Sequence, residues 1–182
     1  MNIRNEIQEQ VSLIETPLVL LSVSPVSYQE AVLDVLRYFS DRFGSGLYIT
    51  LNRPSATLQG SFEKAGIRGS NLVFLDSITN IPEHDTESCC FLGRMRELTD
   101  LSLGVSKMVT ERKGINFVLL DSVSTLLIYN DPKSVARFCH LVAERLRKWG
   151  LPGAFICVEM GEGMDTIAQL AQFCDAYVKG VG

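Results

Sequence analysis

Between the apolar run LVLLSV (18–23) and the amphipathic pattern EAVLDVLRYF (30–39) lies the turn SPVSYQ (24–29). Buried strand, short turn and helix in that order is the layout of a phosphate-binding loop. Such a loop, G-x-x-x-x-G-K-[ST], works because its glycines let successive N–H groups point at the phosphates. Its lysine adds a cation and its hydroxyl reaches Mg²⁺. On that spacing Ser22 and Ser27 stand at the glycine positions, Tyr28 at the lysine and Gln29 at the Ser/Thr. Every defining residue is replaced. Pro25 brings no N–H to a turn whose chemistry is N–H donation. Ser27 and Glu30 fit the S-x-x-E capping box, which predicts that the helix satisfies its first donors internally, where a phosphate would otherwise sit.

A second acidic candidate closes the strand pattern INFVLLD (115–121). In phosphate-loop ATPases an aspartate at such a strand end holds the Mg²⁺ shell. Asp121 alone is a weak signal, since a strand-end aspartate also caps turns. It gains weight beside a strand–turn–helix at the right separation. Other constellations offer less. His84 lies in the acidic stretch PEHDTE, and His140 follows Cys139 on a helix, where neighbours do not share a face. No metal site is expected from them. No G-x-S-x-G elbow occurs, Cys89-Cys90 would form only a strained disulfide, and GEGMD (161–165) reads as a turn. The basic run Arg145–Trp149 falls at a helix C-terminus, where cations meet the dipole and the indole packs.

These positions need a frame. Strands are expected at 18–23, 47–51, 71–76, 115–121, 153–159 and, as an edge, 176–180. Several are apolar at successive positions, as in a parallel sheet covered on both faces. Helices are expected from Ser27 to Phe43, then over 54–65, 94–112, from Pro132 to Gly150 with Asp131 as N-cap, and over 164–173. The stretch 77–93 reads as a surface excursion that hides at most a short strand. The alternation predicts a three-layer α/β/α fold with a mostly parallel sheet, in one domain over 1–182 with a polar lead-in at 1–16.

The totals agree with that reading. The 182 residues carry 17 Lys and Arg against 21 Asp and Glu, a net charge of -4, so there is no general electrostatic footprint for nucleic acid. No apolar run reaches membrane-spanning length, and the N-terminus is too polar for a signal peptide. Five cysteines without CxxC spacing are expected as free thiols, Cys139 and Cys157 buried, in a cytoplasmic protein.

GLYITLNRPSATLQGSFEKAGI (46–67), NLVFLDSIT (71–79) and GINFVLLDSVSTLLIYND (114–131), with the helix after Pro132, resemble the KaiC-like branch of the RecA superfamily. More closely they resemble a group of uncharacterised, largely archaeal KaiC-like proteins, over nearly the whole chain from Pro17. The resemblance implies a RecA-like P-loop NTPase fold with Asp121 as its one retained acidic position. Where active relatives carry an acidic pair after the second strand, this chain has Asn52-Arg53, and neither is a general base. The expectation is therefore a pseudo-ATPase with no catalytic residue and no cofactor, working through a protein partner or self-association. The resembled family forms rings, and the surface near 77–93 and the helix ends around the loop are the candidate contacts. The alternative is an atypical nucleotide site in which Ser24, Ser27, Tyr28, Gln29 and Asp121 hold ATP and Mg²⁺, Tyr28 stacking on the base. A RecA-like nucleic-acid binder ranks third.

Overall fold

The structure is a computed structural model that describes residues 2–68, 71–79, 84–93, 97–159 and 164–180. Among these residues seven strands, β1 (Leu18–Val23), β2 (Gly46–Thr50), β3 (Leu72–Asp76), β4 (Cys89–Phe91), β5 (Val118–Asp121), β6 (Gly153–Val158) and β7 (Ala176–Gly180), form one sheet in the order β4-β3-β2-β5-β6-β1-β7. Every neighbouring pair is parallel. The α/β expectation holds, and β4 is the short strand that 77–93 conceals. From β1 the chain passes over β6 and β5 to reach β2. The carboxyl ends of β1, β2 and β5 therefore share one edge near a change of winding direction, where open α/β sheets place their ligands.

Among the described residues seven helices cover the two faces: α1 (Ile3–Val11), α2 (Tyr28–Phe43), α3 (Ser55–Lys64), α4 (Leu98–Glu111), α5 (Val123–Tyr129), α6 (Pro132–Trp149) and α7 (Met164–Ala171). On one face α1, α2 and α3 bury Ile7, Val35, Phe39 and Phe62 against Val19, Tyr48, Phe74 and Phe117. On the other, α4 to α7 bury Val105, Val135, Val142, Leu146 and Leu170 against Leu20, Ile49, Leu120 and Phe155. Among the described residues no helix is long and apolar enough to cross a membrane.

Two helices lie outside the expected set. The polar lead-in contains α1, whose Ile3, Ile7 and Val11 at helical spacing are buried. Charged and amide residues between them mask that stripe in the sequence. Arg42 of α2 fixes the end of α1 by donating to the carbonyls of Val11 (3.1 Å), Ser12 (3.2 Å) and Ile14 (2.8 Å). The second, α5, occupies VSTLLIY, where short length and β-branched residues hide a helical period. Ser124 ties it to β6, its hydroxyl donating to the Val158 carbonyl at 2.9 Å and accepting the Val158 N–H at 2.7 Å. Elsewhere the bounds move slightly: β5 begins at Val118 rather than 115, and α7 ends at Ala171 rather than 173. The N-terminal part of the helix expected over 94–112 and most of GEGMD lie outside the described residues.

Helix α6 follows its sequence signals. Asp131 Oδ1 accepts the Ser134 N–H at 3.0 Å, Pro132 opens the first turn, and Gly150 closes the helix in the left-handed region at φ 65°. The chain then enters β6 through Gly153, where the space for a side chain is missing. A Cβ there would stand 2.7 Å from the Val118 carbonyl oxygen and 2.9 Å from Leu146 Cδ1. The first obstacle is backbone of the neighbouring strand and cannot swing away. Gly153→Ala is expected to cost about 3 kcal/mol by overpacking, read as a lower denaturant midpoint. An unchanged midpoint would show that β5 and β6 separate freely.

All five cysteines are free, and only Cys174 is less than buried. Burial pushes the Cys139 and Cys157 thiols well above their ordinary range, so both are inert packing groups. Trp149 packs on the core beside Leu151. Both arginines of the run are engaged: Arg145 donates to Ser102 and Ser106, and Arg147 to the Phe173 carbonyl at 2.7 Å.

Candidate functional site

The turn from β1 to α2 keeps the length of a phosphate loop and spends its polar groups on itself. Ser24 and Ser27 hydroxyls lie 2.9 Å apart, and the Ser27 N–H donates to Ser24 Oγ at 3.3 Å. Ser22, at the first glycine position, is buried and donates to Glu159 Oε1 at 3.1 Å. The capping box is not formed. Ser27 already has helical backbone angles (φ -88°, ψ -5°), which turns its hydroxyl away from the following N–H groups, and no side chain caps α2. Glu30 is exposed, as is Gln29.

Tyr28, the first residue of α2, holds the lysine position and reaches across the sheet edge to Asp121. Its phenol donates to Asp121 Oδ1 at 2.5 Å. Tyr48, wholly buried on β2, donates its hydroxyl to Asp121 Oδ2. Asn52 Nδ2 donates to the Tyr28 oxygen at 2.7 Å, and the Arg53 guanidinium lies 6.0 Å from the centre of the Tyr28 ring. Four residues from α2, β2 and the turn after β2 thus converge on the one carboxyl group that β5 supplies. The Asp121–Ser122 peptide bond is cis.

Burial raises the Asp121 pKa above the ordinary carboxylate value. The hydrogen bonds from Tyr28 and Tyr48, and the charge of Arg53, oppose that rise without cancelling it. The two phenols are pushed upward, by burial first and the nearby carboxylate second, so both stay protonated donors. Arg53 is half-buried over the Tyr28 ring.

A small cleft of about 60 Å³ opens beside Tyr28, Gln29, Val32, Arg53 and Phe62. Nucleotide-sized ligands need roughly 300 Å³ or more. The residues present do not fit a Mg²⁺-nucleotide. Both oxygens of Asp121 are taken by phenols, Gln29 offers an amide where a hydroxyl is needed, and no lysine stands at the loop. Of the sequence candidates, Tyr28 and Asp121 are joined directly, Ser24 and Ser27 are joined to each other, and Gln29, exposed, lines the same small cleft as Tyr28 and Asp121.

Tyr48 is the member of the site that sequence reading missed. Its signal is a phenol in an otherwise apolar buried strand, which obliges a hydrogen-bond partner. A second missed residue, Asp76 at the end of β3, pins the start of α3. Its carboxylate accepts the N–H groups of Ser55 (2.7 Å), Ile78 (2.9 Å) and Thr79 (3.0 Å) and the Thr79 hydroxyl (2.8 Å). No group of His, Cys, Asp and Glu that could hold a metal ion occurs among the described residues.

An all-parallel sheet in this order, with helices on both faces, is a RecA-like α/β architecture. The solved structure of a KaiC-like protein from the hyperthermophilic archaeon Pyrococcus horikoshii is similar to it, with a TM-score of 0.60 at 10% identity. The match covers 80% of this chain and 64% of that one, so the chain spans less than two thirds of its neighbour's length. At such identity the likeness concerns the fold. Residues 91–179 also match the model of a family of unknown function, DUF7504. No curated protein matches the sequence.

Proposed function

We propose that the chain is a single KaiC-like pseudo-ATPase domain over 1–182, its loop a degenerate relative of the archaeal-type phosphate loops. Its role is regulatory or scaffolding, exercised through protein–protein contact rather than chemistry. The observation that carries this reading is the pairing of Tyr28 with Asp121. The residue at the lysine position donates into the aspartate that would otherwise face a metal ion, and Tyr48 takes the second oxygen. Asn52 and Arg53 supply no general base at the end of β2. With both Asp121 oxygens engaged by phenols and no lysine at the loop, no catalytic residue and no cofactor are assigned. The free thiols favour a cytoplasmic setting, and the acidic chain disfavours nucleic acid.

A second reading is supported by the uncapped start of α2. Its first N–H groups are not consumed by Ser27 and Glu30, and a helix N-terminus attracts anions. In that case Ser24, Ser27, Tyr28, Gln29 and Asp121 hold ATP with Mg²⁺. Equilibrium titration of ATP and ADP with Mg²⁺ at low salt separates the two. The expected result is no saturable binding up to millimolar nucleotide. Micromolar binding that weakens in Ser27→Ala or Asp121→Asn would overturn the pseudo-ATPase reading.

A further inference from the structure

The two edges of the sheet are treated differently. In a parallel ladder each residue bonds one neighbour with both main-chain groups, so an edge strand leaves alternate residues unpaired. On β4 these are Cys89 and Phe91, and the chain closes both: the Cys89 N–H donates to Thr86 Oγ1 and the Phe91 N–H to Asp85 Oδ1, each at 3.0 Å. That edge is protected by its own side chains.

The β7 edge is not. Strand β1 gives the carbonyls of Pro17 and Val23 to β6, so its even-numbered residues bond β7. With Leu20 in register with Tyr177, the ladder turns Ala176 and Val178 inward. Tyr177 and Lys179 direct their N–H and C=O groups outward. The Tyr177 carbonyl takes only a long contact of 3.4 Å from Gln10 Nε2, and no described residue accepts either outward N–H. Helix α1 covers one face of β7, over Val178. On the other face the side chains of Tyr177 and Lys179 are 38% and 56% exposed, and Lys179 Nζ pairs with Glu159 Oε1 at 3.5 Å.

We infer that the β7 edge pairs with the β7 edge of a second copy, antiparallel and centred on Val178. The strand is self-complementary in that register. Tyr177 falls opposite Lys179 of the second copy, and Lys179 opposite its Tyr177, so the outward groups of each pair exchange both main-chain bonds. The aromatic ring covers the lysine stem, and no like charges meet. Sliding the strands to bring Lys179 onto itself would oppose two cations. The edge is short and its one charge, Lys179, is paired within its own chain with Glu159, which suits a symmetric contact better than a long foreign strand. The inference gives a surface to the interaction role proposed above, yet its test is separate. Nucleotide binding would overturn that role and leave this contact untouched.

Sedimentation of the 182-residue protein over micromolar concentrations tests it. The wild type is expected to be a reversible dimer. Tyr177→Glu places an anion opposite Lys179 and is expected to keep it. Tyr177→Lys opposes two cations twice over and is expected to weaken it about tenfold or more. Both substitutions alter an outward side chain, and unchanged melting temperatures will confirm the fold. A monomer throughout, or a dimer indifferent to the sign of the charge at 177, overturns the inference.

Discussion

Asp76→Ala is expected to lower stability by about 4 kcal/mol, more than any other single carboxylate replacement in this chain. The side chain is wholly buried, and its two oxygens accept three main-chain N–H groups and one hydroxyl. Hydrogen bonds to a charged group contribute about 1.5–3 kcal/mol each, and donors left unpaired in the interior add their own penalty. The loss falls on two elements at once. Ser55 begins α3, and Ile78 and Thr79 form the turn that leaves β3. Burial opposes ionisation of Asp76, but the N–H groups of Ser55, Thr79 and Ile78 outweigh it and hold the carboxyl below its usual range. For a carboxylate with a depressed folded-state pKa, the contribution is complete above the unfolded value of about 3.9 and is lost as pH falls through the folded value. Denaturant midpoints of wild type and Asp76→Asn should therefore converge in acid. A difference that persists or widens at low pH would mean the group is held protonated.

The sheet was legible because its strands are buried on both faces. LVLLSV, FVLLD and GAFICV are apolar without alternation, and the only economical cover for such runs is helix above and below. Helix α6 was legible for a different reason: Asp131, Pro132 and Gly150 each have one preferred place in a helix, and all three agree. The capping box misled because Ser-x-x-Glu describes residue types, while the box needs Ser27 in extended backbone. Here Ser24 captures Ser27 first. Helix α1 was hidden because three buried residues among polar neighbours look like a tail until a groove exists to receive them. At the site, the lysine position was legible by spacing alone. The use made of it was not, because a tyrosine at that place can stack, pack or donate. Only the arrival of β2 and β5 beside α2 selects donation to Asp121, and Tyr48 enters through the same long-range contact.

Asp121 should respond in the opposite sense to Asp76. Asp121→Ala leaves the buried Tyr48 hydroxyl without an acceptor and opens a void, at a cost of about 3 kcal/mol. Asp121→Asn should be nearly neutral at pH 7. The amide oxygen can keep Tyr48, and the amide nitrogen can donate to the Tyr28 oxygen. A flip of the Asn52 amide then lets its Oδ1, a buried oxygen that otherwise lacks a partner, accept the Tyr28 proton. The wild type meanwhile carries a carboxyl that burial makes reluctant to ionise. With a raised folded-state pKa, the native state holds more protons than the unfolded chain, so this group's contribution is complete below the unfolded value and is lost as pH rises through the folded one. The stability of wild type relative to Asp121→Asn should fall as pH increases, while relative to Asp76→Asn it should rise. Opposite slopes are what a charge used as a clamp and a carboxyl enclosed by two phenols must give. If Asp121→Asn proves as damaging as the alanine, with a wild-type advantage that grows with pH, then Asp121 is a stabilised anion. It would then be poised for a cation, and the phenols would be occupants that a ligand could displace.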